Sequence, residues 1–262
     1  MDVTNRSSGR NVFIYDADNP AEPLGGFVLT AGMTNADLHL IMGMVCVLYS
    51  NYYIMDGLVY GTNKRIPSDG EELQPGKYYV LTNGYITVNE EPCLPQPVAA
   101  DSETCPAPFR DAIRERDRRC AITGEGVTSS DRSGFEAAHI FPLSHEDHWN
   151  KNNFNRWITI PPAHGGPINS VQNGILLRSD IHELFRNYDM SINPRDNYKV
   201  ICFRPDEKGI AGKHLDKQFV GDPRRPVDDL LWWHFRQAVL VNVRGDGEPI
   251  SKSHTESGVS SS

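Results

Sequence analysis

The period of apolar positions changes several times along the chain, and each change marks an element. After a polar leader, NVFIY at 11–15 and GFVLT at 26–30 alternate like strands, separated by the Pro- and Gly-containing stretch DADNPAEPLG. Thr34 or Asn35 can then cap a helix running to about Tyr49, with Leu38, Ile41, Met42 and Val45 on one face. YYIM at 52–55, LVYG at 58–61, KYYVL at 77–81 and YITV at 85–88 are further strand candidates. FRDAIRERDRRC, from Pro108 onward, reads as a basic helix packing through Phe109 and Ile113, with Arg110, Arg114, Arg116 and Arg118 mostly exposed. FEAAHIFPLS, from Phe135, gives a short strand and then a long polar loop, and NGILLRSDIHELF at 173–185 passes from a strand into a helix. MSINP at 190–194 and YKVICF at 198–203 suggest a closing hairpin. In the last pattern, VDDLLWWHFRQAVLVNV, apolar residues cover so much of the helix that it should pack on two sides. At helical spacing, Trp232 and Trp233 fit core positions better than base-stacking ones.

This order predicts an α+β protein with two folded units. We expect a small acidic α+β domain over 1–88, of the β-grasp type, a linker rich in Pro and polar residues over 89–107, and a second domain over 108–205. A C-terminal extension with its helix follows over 206–245, then a disordered tail over 246–262.

Charge sharpens the division. The formal net charge is −8, unusual for a free-standing nucleic-acid binder. Residues 1–105 hold 5 Lys/Arg against 13 Asp/Glu, whereas residues 106–205 hold 13 against 12, so the acidity sits in the first third. The five cysteines form no CxxC pair, which points to reduced thiols and an intracellular, cytoplasmic or nuclear, protein. The polar N-terminus lacks the apolar core of a secretory signal, and the longest apolar run, Leu38 to Tyr49, is too short to cross a bilayer, so no membrane partner is expected.

The candidate chemistry lies between Phe135 and Tyr188. Phosphodiester hydrolysis needs a base for water, stabilisation of the pentavalent phosphate and help for the leaving oxyanion. His139, with a side chain that ordinarily titrates near neutrality, suits the base. His182, its direction fixed by a helix and with Asp180 and Glu183 nearby, suits a metal ligand. Asn173 can hold the loop across its strand, although Asn173-Gly174 also fits a plain turn. His145, His148 and His164 lie in the loop itself.

CAITG at 120–124, AAHIFP at 137–142 and NGILLRSDIHELF at 173–185 resemble the HNH endonuclease family, particularly a branch common in fungal proteins. The resemblance covers about residues 108 to 205 and implies a ββα-metal fold acting on DNA. It implies that His139 activates water, that His182 binds Mg²⁺ or Mn²⁺, and that Asn173 supports the loop. Many members carry Asp or His immediately before the base, where this chain has Ala138, which leaves Glu136 or Asp180 as further ligand candidates. Where the branch has Asp after the helical Leu-Phe, this chain has Arg186, a residue that would oppose a cation or hold a phosphate oxygen. Arg178 is a second candidate for substrate phosphate. The alternative is an HNH scaffold repurposed for a small-molecule substrate, as in fungal secondary metabolism, or for a protein partner.

Overall fold

The computed structural model describes residues 5–59, 63–94, 105–127 and 134–245. In the first unit β1 (Val12–Asp16) pairs antiparallel with β2 (Pro23–Phe27), Val12 opposite Phe27. The second strand thus lies earlier than the pattern GFVLT suggests. Gly25 explains part of this, because a Cβ there would come 2.4 Å from the Val243 carbonyl oxygen, so the strand runs directly against the C-terminal helix.

Thr34 caps α1 (Asn35–Val45) in a reciprocal box, its side chain accepting from Asp37 N while the Asp37 carboxylate accepts from Thr34 N. The helix ends at Val45 rather than Tyr49. Cys46 to Leu48 instead form β3, paired with β7 (Ile86–Val88), because β-branched Val47 suits a strand once a partner lies alongside. β4 (Tyr52–Met55), β5 (Arg65–Ile66) and β6 (Gly76–Thr82) complete a sheet of order β2-β1-β6-β4-β5, with β1 and β6 parallel. A leading hairpin, a helix and a return strand parallel to the first make the β-grasp arrangement. LVYG is not a strand: Leu58 and Val59 sit in an exposed bend, and the last two positions lie outside the described residues.

The second unit begins with α2 (Ala107–Asp117) and the strand β8 (Phe135–His139). The polar loop that follows has its own core, since α3 (Glu146–Lys151) buries Trp149 against Phe141 and Phe154. β9 (Gly174–Arg178) returns antiparallel to β8, and α4 (Ser179–Arg186) then packs back across the hairpin, giving a ββα unit. A second hairpin, β10 (Met190–Asn193) with β11 (Lys199–Cys202), leads through a short helix, α5 (Lys217–Gly221), to α6 (Asp228–Val243).

This last helix joins the two units. Phe235, Ala238, Val239, Val241 and Val243 belong to the core beneath the first sheet, whereas Leu230, Leu231 and Trp233 belong to the core behind the ββα unit. Buried polar bridges reinforce the junction: Lys199 donates to Asp37 at 2.7 Å, and Arg6 donates to Asn242 at 2.8 Å and Asp189 at 3.3 Å. The start of the expected linker is pinned to the same helix by the Glu91–Arg236 ion pair and by Leu94 N, which donates to Gln237 at 2.8 Å. The middle of the linker and the expected tail lie outside the described residues. Among the described residues, no helix is long and apolar enough to cross a membrane.

Candidate active site

Strand alternation gives the β8–β9 hairpin two chemically distinct faces. Phe135, Ala137 and His139 point one way, beside Arg178, Leu176 and Gly174; Glu136 and Ala138 point the other, beside Leu177 and Ile175.

α2 lies on the first face. It approaches so closely that a Cβ on Gly174 would fall 2.3 Å from Ile113 Cδ1 and 2.6 Å from Phe109 Cζ. The close approach lets Phe109 stack on the His139 ring, centroids 3.8 Å apart and planes 3° from parallel. Arg116, expected on the surface, is buried. Its guanidinium donates at 2.7 Å to each of the carbonyls of Val171, Gly174 and Arg224 and forks onto Asp117, whose carboxylate also accepts from Leu176 N at 2.8 Å. Helical periodicity assigned Arg116 to the outer face; what it missed is that the last turn of α2 meets three backbone carbonyls, from the 3₁₀ turn before β9, the start of β9 and the loop before the C-terminal helix, that need a donor.

At the mouth of the hairpin, Asn173 is fully buried and closes the loop. Its Oδ1 accepts from Phe141 N at 2.9 Å, and its Nδ2 donates to Phe141 O at 3.0 Å and Ile168 O at 2.8 Å. Gln172 beside it does the same for the far side, its Oε1 accepting from Thr159 N at 2.8 Å and Ile160 N at 2.9 Å. His139 lies at this mouth, with Nε2 3.3 Å from Asn169 Oδ1. Burial pushes its imidazole down to about 4, the hydrogen bond it donates to Asn169 opposes this, and nearby His182 adds to the lowering, so His139 is neutral at pH 7.

The second face carries α4. His182 Nδ1 contacts Glu136 Oε2, and both side chains reach solvent, at 23% and 48% exposure. Asp180 and Arg178, expected as metal ligand and phosphate contact, are instead engaged with each other: Arg178 forks onto Asp180 at 2.6 and 2.9 Å and reaches Glu125 at 2.6 Å. Arg178 first, and Lys208 at 2.9 Å, hold the Asp180 carboxyl well below the usual carboxylate range. Arg204 is likewise occupied by Asp189, at 3.2 Å. Arg186, one turn beyond His182, has no hydrogen bond or ion pair among the described residues. Of the loop histidines, His148 packs against Phe141 and Phe154. Cys120 is a buried thiol.

The donor set suits a hydrated divalent ion better than an all-protein cage. No three His, Cys, Asp or Glu side chains converge among the described residues. Glu136 and His182 together nevertheless offer one oxygen and one nitrogen at the surface, and Mg²⁺ commonly takes few protein ligands and completes its shell with water and phosphate.

Two antiparallel strands followed by a helix across them, with a histidine at the strand end and another on the helix, define the class of site. Residues 120–193 match the family described as HNH endonuclease, and residues 9–87 match one described as a domain of unknown function, DUF8573. The first match makes this region similar to a family of nucleases and suggests a nuclease-like function for it. Neither the curated proteins nor the solved structures compared with this chain gave a match.

Proposed function

We propose that the region 108–205 is a metal-dependent endonuclease that hydrolyses DNA phosphodiester bonds with His139 as general base. The observation that carries this reading is a neutral imidazole held at the hairpin mouth, next to an exposed imidazole–carboxylate pair. His139 takes the proton of the attacking water. Asn173 keeps the loop, and with it the end of β8, in register. On the other face Glu136 accepts from His182 Nδ1–H, which leaves the Nε2 lone pair of His182 to bind Mg²⁺ or Mn²⁺. The ion supplies charge stabilisation for the phosphate and the leaving oxygen. Arg186 contacts a phosphate oxygen, a role open to it because it forms no ion pair among the described residues. We place the acidic domain over 1–88 outside the chemistry, in a protein of the cytoplasm or nucleus.

One observation favours a second reading, an HNH scaffold that binds or transforms a small molecule or a protein partner: Asp180 is paired off, so the metal side has two donors rather than three. The deciding test is nicking of supercoiled plasmid with Mg²⁺, Mn²⁺ or EDTA. Metal-dependent nicking is expected, and His139→Ala should lower it by about 10²- to 10⁴-fold, the usual worth of a general base. Equal cutting by the variant removes His139 from its role; no cutting by folded wild-type protein transfers the assignment to the second reading.

A further inference from the structure

The imidazole of a general base has two nitrogens, and only the one without a proton can take one from water. Which nitrogen that is depends on what the other one touches. For His139 the answer comes from a residue that neither the spacing of the motif nor the family match singles out, Asn169.

Asn169 sits at the end of a single 3₁₀ turn, Pro167–Asn169, with its backbone N donating to Gly166 O at 3.0 Å. Its amide orientation follows from its neighbours. The Nδ2 group donates to the Gly165 carbonyl, in a loop that Gly165 (φ +85°) and Gly166 (φ +73°) turn through the left-handed region. A carbonyl can only accept, so Nδ2 must face Gly165 and Oδ1 must face His139. Oδ1 can also only accept, and the ring nitrogen 3.3 Å away must therefore carry hydrogen. Phe109 covers the ring's face, and among the described residues Nδ1 has no hydrogen-bond partner.

We propose that Asn169 is a positioning residue that fixes the tautomer of His139, with the proton on Nε2 and the lone pair of Nδ1 presented to water. An amide does this without charge: it orients the ring and selects the tautomer, whereas a carboxylate at the same place would also favour the imidazolium and so occupy the base with a proton. The two-glycine turn before Pro167 gains a purpose, since it brings the Gly165 carbonyl onto the amide that must not flip.

The proposal rests on His139 being the base, but its first test does not require activity. Long-range ¹H–¹⁵N NMR of histidine rings distinguishes the two neutral tautomers, and a His139→Gln spectrum assigns the resonance among the nine histidines. At neutral pH, wild-type protein should show His139 as a single Nε2–H tautomer; Asn169→Ala should show a mixture, and Asn169→Asp should restore the single form. A wild-type Nδ1–H tautomer, or an unchanged single form in Asn169→Ala, overturns the proposal. In the nicking assay, Asn169→Ala should lower kcat by about ten- to a hundredfold with KM unchanged, the scale expected of a misplaced reacting group. Asn169→Asp should recover most of that rate and move the acid limb of the pH profile upward, because the new carboxylate stabilises the imidazolium. If wild-type protein does not nick DNA, the endonuclease reading falls while the spectra still decide the role of Asn169.

Discussion

The two faces of the β8–β9 hairpin solve opposite problems. On the α2 face, Phe109 lies flat on His139, Ile113 fills the space over Gly174, and Arg116 with Asp117 satisfies the Gly174 carbonyl and the Leu176 amide. The imidazole there has little water and few conformations, and its proton affinity is low. On the α4 face Glu136 and His182 reach solvent, and at the strand end charges are paired in a chain from Glu125 through Arg178 and Asp180 to Lys208. A base gains from a fixed direction and a neutral resting state. A weakly ligated cation gains from room for water and phosphate. Alternate side chains leave the two-stranded hairpin on opposite sides and so give each requirement its own surroundings, while at the mouth His139 stays close enough to His182 to feel its charge.

The comparison can be broken from the buried side. Gly174→Ala places a methyl group where Ile113 and Phe109 already are, and overpacking of this kind costs about 1–3 kcal/mol. Urea unfolding should show that loss, and with Phe109 displaced the nicking rate should fall as well. Affinity for Mn²⁺, set on the other face, should stay within about twofold of wild type. A variant as stable as wild type would mean that α2 does not clamp the hairpin. From the open side, Glu136→Gln should weaken Mn²⁺ binding by about tenfold or more, whether the carboxylate is lost as a ligand or as the acceptor that orients His182. Asp180→Asn should change it by less than about twofold, since Arg178 and Lys208 already hold that carboxylate. The reverse ranking, measured by calorimetry without DNA, would put Asp180 in the metal site.

Much of this architecture was legible in the chain. Strand-like patterns located β1, β4, β6 and β8, the apolar run Ile175 to Leu177 located β9, and the nine-residue spacing from Asn173 to His182 located the strand-to-helix junction. The reciprocal cap at Thr34 was legible because capping is local, whereas the end of α1 was not, because Val45 to Leu48 answer to β7, some forty positions away. The apolar girth of α6 announced two packing partners without naming them. Arg116 and Asn169 stayed hidden for a shared reason. Their partners are backbone carbonyls and a ring nitrogen brought close by the fold, and no period records a hydrogen bond made across a loop. For Asp180, its position beside His182 suggested a ligand, and no pattern showed that Arg178, two residues before it, holds the same oxygens at 2.6 and 2.9 Å.

Arg186 is where the open face can be sharpened further. It lies one helical turn past His182 and forms no ion pair among the described residues, so its charge acts on whatever enters the site. Toward a cation held by His182 it is repulsive, by on the order of 1 kcal/mol for unit charges at contact distance in water. Toward a phosphate it is attractive and donates through a fork. These effects have opposite signs and separate in one variant. Without DNA, Arg186→Asp should bind Mn²⁺ at least about fivefold more tightly, since the ion is divalent and the change replaces that repulsion with an attraction. With DNA and EDTA, binding should weaken about fivefold, and the dependence of log K on log salt should become shallower by about 0.9, the worth of one lost phosphate contact. A change in metal affinity alone would make Arg186 a brake on the site rather than a substrate contact. No change in either would place it outside the site and leave the open face to Glu136 and His182.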